Sequence, residues 1–110
     1  MANEHFLAQL WATIESRKAE AGPEKSYTRE LLANPSKARK KVAEEAHEVN
    51  EAHQALLAGQ DTKDHLAHEA ADLIYHLFVV LASADVTPSE VYAVLQSRHL
   101  AKGPRGAKSP

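Results

Sequence analysis

Glu69 and Asp72 stand in the stretch HLAHEAADLIYHLFVVLA (65–82), where almost every position from Leu66 to Ala82 is apolar. Ionised carboxylates cost several kcal/mol or more to bury unless they are paired or bind a cation. At about 100° per residue, His65, Glu69, Asp72 and His76 fall within one sector roughly 60° wide, so they form a polar stripe on an otherwise apolar helix. Glu69 and Asp72 are three apart and repel unless something positive lies between them. A second acidic row precedes it in KKVAEEAHEV: Glu45 and Glu48 are three apart, Glu44 and Glu48 four apart. If the two segments pack as antiparallel helices, which the short GQD connection favours, the acid rows can face each other. Converging carboxylates are a hard-oxygen donor set suited to Mg²⁺ or Mn²⁺, with phosphate oxygens filling the remaining positions.

Plainer roles exist for each group. The Glu44, Glu45, Glu48, Glu51 run can be a solvated helix face, and Glu69 with Asp72 can pair with an arginine or lysine from another helix. His76 is either a support for the acids or a core histidine bonded to a carbonyl. His47, His53, His65 and His68 are expected mostly in solvent. The chain has no cysteine and no H-E-x-x-H, so a structural zinc fits poorly.

Helices must carry these residues. Val and Ile are sparse, alternating runs are short and no hairpin dipeptide occurs, so the fold class expected is all-α. FLAQLWATIESRK gives an amphipathic helix through Phe6, Leu7, Leu10, Trp11 and Ile14, broken at Gly22 and Pro23. A helical turn is expected at TRELLA, ended by NPS. Ser36 is placed as the cap of the first acid helix, whose apolar stripe is Val42, Ala46, Val49 and Leu56 and which stops at Gly59. Asp61 is placed as the cap of the second acid helix, with Asp64 as its capping-box acid. Thr87, Pro88 and Glu90 announce a fourth long helix, SEVYAVLQSRHL.

At 110 residues the chain fits one domain, expected over 1–100, with AKGPRGAKSP (101–110) as a disordered tail. A net charge of −2 does not advertise nucleic acid as a partner. No uninterrupted apolar run reaches the roughly 18 residues of a membrane span, and MANEHFLAQLWATIE lacks a leader pattern, so the expected setting is the cytoplasm, away from membranes. The second acid helix is apolar on more faces than three other long helices can cover, which predicts a homodimer completing the bundle.

EEAHE followed by EAAD resembles the E-E-x-x-E…E-x-x-D signature of the MazG-like all-α nucleoside triphosphate pyrophosphatases. SYT, KKVAEEAHEV, EAADLIYHLFVVL and VYAVLQSR resemble, over about residues 7–99, the branch that acts on phosphoribosyl-ATP in histidine biosynthesis. LLANPSKARKK departs from the glycine more usual after the leucines, and the cyclohydrolase domain fused to some relatives is not expected here, since these 110 residues hold none of its cysteines. The resemblance implies Mg²⁺-dependent hydrolysis to phosphoribosyl-AMP and pyrophosphate. It implies metal ligation by Glu45, Glu48, Glu69 and Asp72, with Glu44 a further ligand or the group that orients water. Lys41, one turn before Glu45, is the first choice of phosphate cation, or else a salt-bridge partner of Glu45. Lys40, Arg17 and Arg98 are further cations that can equally be surface charges. Ser26, Tyr27 and Thr28 are assigned to substrate contact by resemblance, although a turn and a helix cap explain them locally. Tyr75 can lie near the ribose or base, or pack in the core. Other readings are a related (d)NTP pyrophosphatase and a non-catalytic helical dimerisation module.

Overall fold

Proline, glycine and capping side chains set the helix boundaries. A computed structural model describes residues 5–19 and 26–100, and it contains five helices: α1 (Phe6–Ala19), α2 (Tyr27–Ala33), α3 (Pro35–Leu57), α4 (Lys63–Ser83) and α5 (Pro88–Leu100). No strand occurs among the described residues, so the all-α expectation holds. The Gly22–Pro23 break and the 101–110 tail lie outside the described residues.

Two caps differ from expectation. Pro35 occupies the first position of α3, where its missing N–H costs nothing, so the cap moves back from Ser36 to Asn34. Asn34 Oδ1 accepts from Lys37 N at 3.3 Å, while its own backbone N–H closes α2 on Leu31 O at 3.1 Å. One residue therefore ends one helix and starts the next. At α4 the cap is Thr62, whose Oγ1 accepts from His65 N at 3.1 Å. Asp61 instead accepts from Thr62 N at 2.7 Å, and Asp64 sits in the first turn without closing a capping box. The other signals act as expected. Ser26 caps α2, and Thr87 and Glu90 form a reciprocal box at α5, with bonds of 2.7 and 3.2 Å. Gly59, at φ +76°, ends α3 through Gly59 N→Leu56 O and Gln60 N→Ala55 O bonds, a Schellman closure that needs the left-handed region.

α3 and α4 form an antiparallel hairpin and are the most extensively packed pair. The fully buried positions of α3 are Ala38, Glu45 and Ala52, seven apart, so the seam is lined by small residues on either side of an acid. The half-buried Val42, Ala46, Val49 and Leu56 flank that seam. The core gathers Ile14, Leu31, Ala38, Phe78, Val79 and Ala82, with Leu10 and Trp11 packed against it. Trp11 meets Phe78 edge-on, with ring centroids 5.9 Å apart. Lys18 reaches from α1 to Ala82 O at 2.8 Å and to Asp85, whose φ of +58° turns the chain out of α4.

α4 is not enclosed all round as its composition suggested, since Ile74 and Leu77 are exposed. By length and composition it is also long and apolar enough to cross a membrane, which corrects the expectation that no segment would be. The core helices of soluble proteins pass the same test, and α4 carries Glu69 and Asp72 near its middle, where hydrocarbon would be costly for them.

Candidate active site

The α3–α4 hairpin brings the two acid rows together. Glu45, held between Ala38 and Ala52 on the buried seam, is only 7% exposed. It faces His76 of α4, itself 6% exposed, with Glu45 Oε1 2.5 Å from His76 Nδ1. The imidazole N–H is better aligned on the Asp72 carbonyl, one turn back at 3.0 Å, so Glu45 Oε1 has a close contact but no well-formed hydrogen bond. His76 is thus a buried histidine bonded to a carbonyl and, at the same time, in contact with the central acid. Burial pushes the Glu45 carboxyl above its ordinary range. The Asp72 charge adds to the rise, while His76 and Lys41 oppose it.

One turn along, Glu48 confronts Glu69. The Glu69 carboxylate it faces holds the Glu48 carboxyl above its usual value, helped by burial and by Glu44 and opposed by Lys41. Glu69, with its side chain 15% exposed, accepts from His65 Nε2 at 3.1 Å through Oε1, while its buried Oε2 has no hydrogen-bond partner among the described residues. Asp72 and Glu44 are exposed at the edges of the rows. Among the described residues, no three carboxylate or imidazole groups are gathered closely enough to hold a metal ion as they stand. The acids face each other in pairs rather than as a closed cage. Their chemistry nevertheless fits a hard divalent cation, because every donor is a carboxylate oxygen and two buried oxygens, Glu45 Oε1 and Glu69 Oε2, lack hydrogen bonds.

The other residues singled out in the sequence divide into those near the acids and those away from them. Lys41 lies beside the site but pairs with Glu44, at 3.6 Å, rather than with Glu45. It lines a cleft of about 500 Å³ with Asn34, Ser36, Lys37, Lys40 and Glu44, which gives Lys40 a place there too. Tyr27 OH lies 2.9 Å from His76 Nε2, and Thr28 Oγ1 hydrogen-bonds the Tyr75 hydroxyl. The Tyr27 and Tyr75 rings stack at 6.3 Å. SYT and the acid helix are therefore neighbours, with Ser26 also serving as the cap of α2. Arg17 on α1 and Arg98 in the last turn of α5 line neither this cleft nor the one beside Glu69.

Sequence reasoning missed one feature. His65 is half exposed, as expected of a solvent-facing histidine, yet it spans Asp61 Oδ2 at 2.6 Å and Glu69 Oε1 at 3.1 Å. Asp61 raises its pKa and is itself lowered in return, as suits an imidazolium between two carboxylates. The D-x-x-x-H-x-x-x-E spacing, one residue per turn on one face, was the available signal. This group borders a second cleft of about 440 Å³, which Glu48, Glu51 and Ala52 also line.

Residues 7–99 match the family model described as phosphoribosyl-ATP pyrophosphohydrolase. The phosphoribosyl-ATP pyrophosphatase of Cereibacter sphaeroides (strain KD131) is 45% identical over 98 residues, covering 88% of this chain and 89% of that protein. Those of Jannaschia sp. (strain CCS1) and Halobacterium salinarum (strain R1) are 44% and 45% identical, covering 88% and 84% of this chain and 90% and 95% of theirs. The match takes in both acid rows, the SYT segment and all of α2 to α4, and on that extent the chain belongs to the phosphoribosyl-ATP pyrophosphohydrolase family.

Proposed function

We propose that the chain hydrolyses the α–β phosphoanhydride of phosphoribosyl-ATP, giving phosphoribosyl-AMP and pyrophosphate, the second step of histidine biosynthesis, in the cytoplasm. The observation that carries this reading is the facing of Glu45 and Glu48 on α3 with Glu69 and Asp72 on α4, where two buried carboxylate oxygens lack hydrogen bonds. Within a family whose members are named for cleaving this nucleotide, that arrangement is best explained as the cation-binding side of a phosphate site.

Glu45, Glu48, Glu69 and Asp72 would hold Mg²⁺, with Mn²⁺ a substitute. Bound there, the ion would neutralise triphosphate oxygens and supply the Lewis-acid charge that phosphoanhydride cleavage requires. The protein's own groups do the positioning. Lys41, with Lys40 beside it, offers ammonium charge to the phosphates at the mouth of the cleft next to Glu44. Glu44, exposed and paired with Lys41, is placed to act as a further ligand or to orient the attacking water. Tyr27 and Thr28, anchored through His76 and Tyr75, present the SYT segment to the nucleotide.

The test is pyrophosphate release from phosphoribosyl-ATP against a panel of dNTPs, with and without Mg²⁺. Turnover confined to phosphoribosyl-ATP and Mg²⁺ is expected, and Glu69→Gln and Asp72→Asn should abolish it while leaving the helical fold. Preferential dNTP cleavage would reassign the substrate within the wider superfamily. Wild-type turnover in both variants would remove the metal site.

A further inference from the structure

The least expected pair in the seam is Glu45 with His76, an acid and an imidazole both more than nine-tenths buried, where α3 otherwise places alanine. Three contacts fix the ring. Nδ1 faces two acceptors, the Asp72 carbonyl at 3.0 Å and Glu45 Oε1 at 2.5 Å, so Nδ1 carries a proton. Nε2 faces the Tyr27 hydroxyl at 2.9 Å, so in the neutral ring Nε2 is the acceptor and Tyr27 donates. Tyr27 also meets the imidazole edge-on at 5.8 Å and stacks on Tyr75, which makes its own ring contact with His76 at 4.9 Å. A surface tyrosine on α2 thereby sets the orientation of a buried ring that touches the central carboxylate of α3.

We propose that His76 is a positioning residue linking the Ser26–Thr28 segment to Glu45, so that the seating of Tyr27 and the binding of a divalent ion at Glu45 reinforce each other. This rests on the reading of Glu45 as an ion ligand and of Ser26–Thr28 as a nucleotide contact. The physical basis is that a carboxylate binds an ion well only when its rotamer is held in advance, and partners behind a ligand commonly set affinity by 10–100-fold. The coupling is reciprocal: whatever orders Tyr27 tightens the ion, and the ion steadies the ring against which Tyr27 rests.

The experiment is calorimetric titration of the full chain with Mn²⁺ alone, without nucleotide, on the wild type, Tyr27→Phe, His76→Asn, His76→Gln and Glu45→Gln, each checked for helicity and melting temperature. Phenylalanine keeps the ring contacts and removes only the hydroxyl. An asparagine amide reproduces the donor at the Nδ1 position, whereas a glutamine amide reaches toward the Nε2 position and leaves Glu45 without its neighbour. Tyr27→Phe should weaken Mn²⁺ about fivefold, as expected for one lost hydrogen bond, although its hydroxyl is not a ligand. His76→Gln should weaken it about 10–100-fold. His76→Asn should resemble Tyr27→Phe, whatever the order of melting temperatures, which a purely packing role would not produce. Mn²⁺ affinity within about twofold of wild type in both Tyr27→Phe and His76→Asn overturns the proposal while Glu45→Gln still abolishes binding. Should Glu45→Gln bind as tightly as wild type, the ligand role of Glu45 fails and takes the proposal with it. Tyr27→Phe, at a partly exposed site, decides the matter if the His76 variants do not fold.

Discussion

At the scale of single residues, the site is built from charges that the fold makes uncomfortable. Glu48 is the clearest case: the carboxylate of Glu69 across the helix interface holds its pKa up, so the ionised form is less favourable folded than unfolded. A carboxyl raised in this way weakens the fold at every pH above its unfolded value, and removing the charge relieves it. Glu48→Gln is therefore expected to raise the metal-free melting temperature. The same variant should lose the upward shift that Mg²⁺ gives the wild type, and its turnover should fall by at least about 10–100-fold. Melting curves with and without Mg²⁺ check both, and a variant that melts lower yet still responds to Mg²⁺ would contradict the assignment. That the two acid rows can face each other was legible in the sequence, because spacing of three and four puts each row on one side of its helix and the short connection folds the helices back. The partners of the histidines were not. His65 and His76 look alike as helix-face imidazoles, and only the placement of Asp61 and Tyr27 separates a half-exposed bridge from a buried one.

At the scale of elements, the distance between α3 and α4 governs the site, and that distance is set by small residues. Ala38 and Ala52 are buried on the seam one heptad either side of Glu45, and Ala52 also lines the cleft beside Glu48 and Glu69. Ala52→Leu should cost about 1–3 kcal/mol by overpacking. It should also weaken Mg²⁺ binding by prising the acid rows apart, whereas Ala52→Ser should leave both nearly unchanged. Denaturant unfolding and Mg²⁺ titration read the two effects separately, and a fully stable Ala52→Leu would mean that the helices do not approach closely there. The Val42, Ala46, Val49, Leu56 stripe located the buried side of α3 but not its centre. A glutamate does not read as a seam position, and periodicity alone cannot say that Glu45 rather than Val42 faces α4 most directly. The caps failed for a similar reason. Ser36 and Asp61 are good capping residues, but Asn34 and Thr62 compete within two positions, and the proline at 35 decided the first contest.

At the scale of the whole molecule, the apolar surface is left unfinished. Ile74 and Leu77 on α4, and Tyr92, Val94 and Leu95 on α5, are exposed, and α5 makes at most slight contact with the other helices, its clearest being a cleft with Leu7 and Trp11 of α1. A chain of this size can close a modest core of its own, and here that core lies where α1, α2, the N-terminal part of α3 and the end of α4 meet, leaving the outer faces of α4 and α5 bare. Isolated apolar side chains on a surface need no explanation, but apolar side chains left open on two successive helices offer surface that a second copy can cover. We therefore expect the chain to sediment at twice its 12.0 kDa mass, as the homodimer proposed from the composition of α4. Leu77→Glu combined with Leu95→Glu places a charge on each helix at positions already open to water in the monomer, so neither disturbs the core described above. The double variant should sediment as a monomer, with α5 less protected from hydrogen exchange and a lower melting temperature that no longer depends on protein concentration. If instead the wild type is already monomeric at micromolar concentration with α5 fully protected, α5 is held by its own chain and the exposed side chains are ordinary surface.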